Sequence, residues 1–365
     1  MKRHLAPTLK DVAREAAATV SAASVVLNGA SSSARISEGT RSRILEAAAR
    51  LHYRRNAVAL GLSQRRMNAI GVAATIRGCA TNHYFLAVLS GILQAATDRG
   101  QSVTVFAVPP GEKGAQTFQE CCDGRIDGLI LVAPYIVDSL MAIVNRTTPI
   151  VAIQGSNPSP NYHNVDIDDE GGAYAATRYL LDLGHREIAY FTGPLELAGA
   201  RRRVRGFERA TAESGISRDA SPVIPGYYTM ESGVHRTAEL IARYGRAALP
   251  TAIFCANDAA AFGCIQTLAA YAIRVPQDIS IIGFDDTHMA QMTRPLLTTV
   301  RQPFDEMARC AVDLLLAEID HRERSESVCE PVEALPIEPT ARPSLGVEVL
   351  SPSLVVREST GPPSR

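Results

Sequence analysis

Apolar positions in the first sixty residues fall at helical spacing in three short blocks. In the first, Val12, Ala13 and Ala16 share a face behind Thr8, whose hydroxyl suits a helix cap, and Asp11 sits in the opening turn where negative charge is favoured. In the second, Ala22, Ala23, Val26 and Leu27 form the inner face behind Thr19. A stretch rich in Ser and Gly, 29–35, leads to Ser37, the cap of a third helix with Ile44, Leu45, Ala48 and Leu51 on one side. Two short helices at a tight turn, with a third packed behind, predict an all-α helix-turn-helix head within residues 1–55.

Beyond residue 68 the texture changes. Continuous apolar runs alternate with amphipathic stretches: AIGVAAT, then a helix near 84–98; SVTVFAV, then a helix near 114–123; GLILVAP; PIVAIQ; and later EIAYFTG, AIFCAND and ISIIGFDD. Runs apolar on both faces and separated by helices predict parallel sheets of an α/β fold, and 68–340 is long enough for two lobes. Residues 56–67 lie between head and core as a linker. The stretch 326–365 is rich in Pro and Ser, and 341–365 reads as a disordered tail with one strand in SLVVREST.

With 46% hydrophobic and 21% charged residues, the 365-residue chain can bury a large core, which excludes a disordered protein. Its net charge of −1 hides an asymmetry. Residues 1–67 hold twelve Lys or Arg against four acids, a local +8, so the remainder carries −9. A basic head on an acidic body fits a module that displaces counterions from a nucleic acid, but charge alone fits a solvated basic face equally well.

Seven cysteines at 79, 121, 122, 255, 264, 310 and 329 form no C-x-x-C pair, so they read as core residues, with no metal site or disulfide framework. The opening MKRHLAPTLKDVARE has no apolar leader, and no apolar run long enough for a membrane span occurs; a cytoplasmic protein with no membrane partner is expected. No Walker-type loop, G-x-S-x-G elbow or H-E-x-x-H is present, and His185, in LGHR, reads as a turn residue. Neither an enzyme nor a cofactor is expected. A secreted sugar-binding protein fits the α/β pattern but not the basic head.

The segment TLKDVAREAAATVSAASVVLNG, followed by ARISEGTRSRILEAAARLHYRRNAVALGL and AIGV, resembles the lactose-repressor family of regulators. The likeness runs on through NHYF, VDIDDEGGAYAAT, LGHREIAYFTGP, RRRVRGFERA, YYTMESG, ANDAAAFG, ISIIGFDD, PLLTTVRQPF and VREST. It implies a helix-turn-helix head, a hinge helix and a two-lobed core like the periplasmic sugar-binding proteins. It also implies a homodimer that binds double-stranded operator DNA and represses transcription under a small effector: a sugar, sugar acid or phosphosugar.

On the head, the resemblance assigns base reading to Val20 and Ser21, the first by methyl contact with thymine, the second with little selectivity. Thr8, Ser24 and Asn28 match positions that hold phosphates, Thr8 doubling as a cap, and Tyr53 is counted with the DNA contacts. Asn56 opens the hinge, where Ala59 allows close approach and Leu62 wedges between base pairs, if it is not simply a linker residue. So short a helix, weakened further by Gly61, is expected to wind only on DNA. The chain departs from the family at Ala17, where a left-handed glycine is usual, at Val25, which stands for an arginine, and at Ala22, Ala23, Arg55 and Leu60.

In the core, ligands of parallel α/β folds sit at the carboxyl ends of strands. The resemblance places Phe85, Gln154, Arg203, Tyr228, Asn257 and Asp285 in the cleft, although Phe85 also reads as core and Asp285 with Asp286 as a helix cap. Arg201, Arg202, Arg203 and Arg205 read as a solvated face; two of them turned inward would favour an acidic effector.

Overall fold

The computed structural model describes residues 7–28, 36–56, 59–61, 66–75, 83–109, 117, 120–134, 148–155, 162–327 and 346–364. They divide into two units, 1–68 and 69–365.

The head holds α1 (Leu9–Glu15), α2 (Val20–Asn28) and α3 (Glu38–Arg50). Each starts where a hydroxyl can satisfy its first amides. Thr8 closes a capping box: its Oγ1 accepts from the Asp11 amide at 3.4 Å, while the Asp11 carboxylate accepts from the Thr8 amide at 3.0 Å. Thr19 Oγ1 accepts from the Ala22 amide at 3.1 Å, and Ser37 Oγ from the Thr40 amide at 3.3 Å. Val12, Ala13, Ala16, Ala23, Leu27, Ile44 and Ala47 form the head's core. Leu45, expected inward, is 49% exposed; 3.6-residue periodicity turns it away from Ile44, and Ala47 takes the place. Ala17 adopts φ +47°, the left-handed geometry expected there despite its Cβ.

The core opens with β1 (Ala69–Thr75), α4 (His83–Asp98), β2 (Ser102–Val108), β3 (Gly128–Val132), β4 (Ile150–Ile153) and β5 (His163–Ile167). Then come α5 (Asp169–Asp182), β6 (Ile188–Phe191), α6 (Ala198–Glu213), β7 (Val223–Ile224), α7 (Met230–Tyr244), β8 (Ala252–Cys255), α8 (Asp258–Ala270), β9 (Ser280–Asp285) and β10 (Thr298–Arg301). It closes with α9 (Phe304–Ser327), β11 (Val347–Leu350) and β12 (Ser353–Val355). The first sheet runs β2-β1-β3-β4-β5-β11 and the second β7-β6-β8-β9-β10-β12, parallel throughout except that β12 is antiparallel to β10. Strands β3, β4, β6, β8 and β9 are buried at every position, which is why they read as unbroken apolar runs. Most of the helix expected near 114–123 lies outside the described residues, although Glu120 and Cys121 are helical.

Three crossings join the lobes: at Asp168 between β5 and α5, at Gln302 and Pro303 between β10 and α9, and at Ser351 and Pro352 between β11 and β12. The strand expected in SLVVREST is β12, whereas the disorder expected for the rest of 341–365 is corrected for residues 346–364. Strands β11 and β12 complete one sheet each, and Ser359 is fully buried, its Oγ donating to the Ile281 carbonyl at 2.6 Å and accepting from the Thr298 amide at 2.8 Å. Polar bonds rather than apolar burial hold this segment, so composition concealed it. His185 lies in the connection between α5 and β6, as expected, and is buried there, with Nδ1 2.9 Å from Thr251 Oγ1 and Nε2 2.9 Å from the Gly361 carbonyl; burial lowers its pKa.

Candidate functional site

Strand ends of both lobes carry backbone strain. Ala133 and Gln154, after β3 and β4, have φ of +43° and +51°, and Asp285 and Asp286 at the end of β9 have +122° and +57°. Non-glycine residues held this way cost about 1–3 kcal/mol each and gather at functional clefts.

Arg203 stands at the centre. It is 4% exposed, and its Nε donates to Asp169 Oδ1 at 2.7 Å while Nη1 donates to the Ala256 carbonyl at 2.8 Å and lies 3.9 Å from Asp285 Oδ1. Its guanidinium covers the Phe284 ring at 3.6 Å from the centroid. The adjacent Arg202 reaches Asp169 Oδ2 and Asp166 Oδ1, both at 2.7 Å. Gly206 makes this possible: a Cβ there would stand 2.2 Å from the Glu170 carbonyl, so only glycine lets α6 close on α5 and set the arginines beside Asp169.

A hydrogen-bonded chain crosses the lobes. Gln154 Nε2 donates to Gln302 Oε1 at 3.2 Å, and Gln302 Nε2 donates to Asp285 Oδ1 at 2.6 Å. Burial pushes Asp285 up to about 7, against the lowering influence of Arg203 and the Gln302 bond. Burial raises Asp166 too, and raises Asp258 well above the carboxylate range with help from Asp285. Asp258 accepts from Thr287 and Thr299 hydroxyls and is structural.

Gln154, Arg203 and Asp285 are thus brought together, and Tyr228 joins them with its ring 5.6 Å from the Arg203 guanidinium carbon. The Tyr228 ring packs directly on Gly193, where a Cβ would stand 2.3 Å from its Cζ. Asn257 spends its polar atoms locally, capping α8 through the Ala260 amide at 2.9 Å and donating to the Tyr228 carbonyl at 3.3 Å. Phe85 is half-buried and packs against the hydrophobic core. Asp285 is not a helix cap. Two arginines do turn inward, but both are paired with carboxylates, so the premise for an acidic effector is met without a spare positive charge.

On the head, α2 presents Val20, 43% exposed, and Ser21, also exposed. Ser24 and Asn28 are half-buried and joined by an Asn28 Nδ2 to Ser24 Oγ bond of 3.5 Å. Tyr53 packs partly against the head's core. Asn56 acts as a cap: its Oδ1 accepts from the Ala59 amide at 3.2 Å, and 59–61 are helical. Asn56 thus supplies the acceptor that the first amides of this short helical stretch need. Leu62 lies outside the described residues.

Residues 8–56 match the family described as "Bacterial regulatory proteins, lacI family", and residues 177–360 match "Periplasmic binding protein-like domain". The "HTH-type transcriptional repressor PurR" of Klebsiella pneumoniae (strain 342) is 32% identical over 326 residues, covering 88% of this chain and 93% of that protein. The chain belongs to the LacI family. The "Ribose operon repressor" of Haemophilus influenzae is 31% identical over 317 residues, 86% of this chain and 92% of the relative. The crystal structure of the lac repressor dimer bound to operator and the anti-inducer ONPF superposes with a TM-score of 0.80 at 28% identity, covering 98% of this chain and 100% of that one.

As a LacI-family protein with both family parts in order, the chain is a DNA-binding transcriptional repressor controlled by a small effector. Its relatives are repressors rather than enzymes, and among the described residues no helix is long and apolar enough to cross a membrane. Reading the sequence missed Asp166, Asp169 and Gln302 around Arg203, and named Arg202 only as one of four arginines, read as a solvated face unless two of them turned inward. No local pattern marks them, since each gains its role from a partner on another element.

Proposed function

We propose that α2 enters the operator's major groove with Val20 and Ser21 at base edges and Thr8, Ser24, Asn28 and Tyr53 near phosphates, while Asn56, Ala59 and Leu62 serve the minor groove. The protein acts as a cytoplasmic homodimer, a reading supported by the dimeric operator complex of the lac repressor. The effector lies against Gln154, Arg203, Tyr228, Asn257 and Asp285, with Phe85 at its rim.

The observation that carries the ligand class is the Arg203, Asp169 and Asp285 cluster. A carboxylate accepts from adjacent hydroxyls, and a guanidinium already neutralised by acids has no charge left for an anion. An uncharged sugar-like effector fits best, in keeping with a relative that represses a ribose operon. Effector binding closes the lobes and shifts the hinge, so operator and effector change each other's affinity by the same factor.

The test combines two measurements on the full chain. Fragments of its own upstream promoter are retained at low salt, and a sugar at about 100 times its dissociation constant adds about 2.7 kcal/mol to stability. Retention of no fragment, or a thermal shift untouched by Asp285→Ala, sinks the reading.

A further inference from the structure

Helix α2 leaves one side uncovered, and that side has an uncommon make-up. At about 100° per residue, Val20, Ser24, Asn28, Ser21 and Val25 follow one another along an arc of roughly 140°, with Ala22, Ala23, Val26 and Leu27 on the opposite side. Burial follows this division. Ala23 and Leu27 are buried, and Ala22 and Val26 pack against the head's core. Val20 is 43% exposed, Ser21 is exposed, and Val25 is half-buried without joining that core. The outward face therefore has a valine at each edge and short polar side chains between.

What this face lacks limits what it can read. Paired hydrogen bonds to base edges come from Arg or Lys on guanine and from Asn or Gln on adenine, and α2 holds no Arg, Lys or Gln. Its one amide, Asn28, is committed: Nδ2 donates to Ser24 Oγ at 3.5 Å, and Oδ1 is sealed from solvent. Asn28 also stands at the C-terminal end of α2, whereas the N-terminal end of a recognition helix meets the bases. The Ser21 and Ser24 hydroxyls can donate or accept, so they discriminate poorly. The base feature left to two valines is the C5 methyl of thymine, the apolar group that the major groove presents. Lys10, Arg41, Arg54 and Arg55 are exposed on the same head and suit phosphates, whose attraction carries no sequence information.

We propose that Val20 and Val25 select the operator by packing against thymine C5 methyls, so that α2 reads methyl groups in place of a hydrogen-bond pattern. The inference rests on the entry of α2 into the major groove proposed above and names the base class it recognises. Val25, on the far edge of the face from Val20, extends the reading to a second position. A cytosine bearing the same C5 methyl is then a substitute for thymine where a valine touches, and a thymine stripped of its methyl is not.

The test uses the full chain and its Val20→Ala and Val25→Ala variants, whose altered side chains lie outside the head's core. Duplexes enriched by the parent from a pool of random sequence are resynthesised with single thymines replaced by uracil, by cytosine or by 5-methylcytosine, the last two paired with guanine. A further set carries single 7-deazapurines, which lack the N7 acceptor. Binding isotherms at one salt concentration are compared. Uracil is expected to weaken the parent about fourfold at a touched position, the factor for one buried methyl. There 5-methylcytosine is expected to bind better than cytosine by the same factor, and 7-deazapurines to bind like the natural bases. Each valine variant is expected to lose the uracil penalty at its own position. Uracil tolerated everywhere, 5-methylcytosine no better than cytosine, a uracil penalty undiminished in both variants, or 7-deazapurines costing more than uracil would each overturn the proposal and leave operator binding standing. If the parent enriches no sequence from the pool, the operator reading itself fails and takes the proposal with it.

Discussion

Arg43 donates its Nε to the Ala16 carbonyl at 3.2 Å, next to Ala17 at φ +47°. The third helix thus holds the end of the first in a conformation that costs a Cβ-bearing residue about 1 kcal/mol relative to glycine. Ala17→Gly is expected to stabilise the head by about that amount, and Arg43→Ala to destabilise it by a similar one. Hydrogen exchange of the full chain reads this at the amides of α1 to α3. Unaltered protection in Ala17→Gly would show the strain already relieved.

Asp169 is 0% exposed and serves Arg202 and Arg203 together. Asp169→Ala leaves buried guanidinia without their main counterion and is expected to cost about 3–5 kcal/mol. Urea unfolding measures it. A loss below about 1 kcal/mol would mean that Asp166 and Asp285 take over the pairing.

Asp285, raised to about 7 by burial, titrates inside the physiological range. Its folded value lies above the unfolded one of about 3.9, so the stability it contributes is complete below about pH 4 and lost as pH rises through about 7. Asp285→Asn is expected to flatten the stability profile over that window. Denaturant titrations at several pH values decide it, and parallel profiles for parent and variant would refute the assignment.

Val20 and Ser21 carry no charge. Val20→Ala and Ser21→Ala are expected to alter the preferred operator sequence, by about 1 kcal/mol at the contacted base, while leaving the salt dependence of binding unchanged. Lys10→Ala, which removes an exposed charge on α1, is expected to show the opposite pattern if it touches phosphate. Binding isotherms on permuted operators at several salt concentrations separate the two. A changed slope for Ser21→Ala would place it off the bases.

Much of the architecture could be read from local pattern. Thr8, Thr19 and Ser37 announce the head's helices because a cap needs only its own next turn, and β3, β8 and β9 announce themselves through unbroken apolar runs. Strand β5 did not, because HNVDI buries His163, Asn164 and Asp166 alongside its valine and isoleucine. In the cleft, the strand ends exposed Gln154 and Asp285 to reasoning from position. Arg202 with Asp169 depends on the contact of α6 with α5, and a pattern along one element does not encode what another element brings to it.

A pair of lobes strung on one strand could swivel about any axis. Here three strands pass between them, at Asp168, at Gln302 with Pro303, and at Ser351 with Pro352, and the last is fastened by a buried C-terminal segment. Such a joint works like a door on three hinges: it bends about a single line. A molecule of the right shape in the cleft therefore drives one rotation rather than a choice of many, and trimming the final residues would loosen the pin on which that rotation turns.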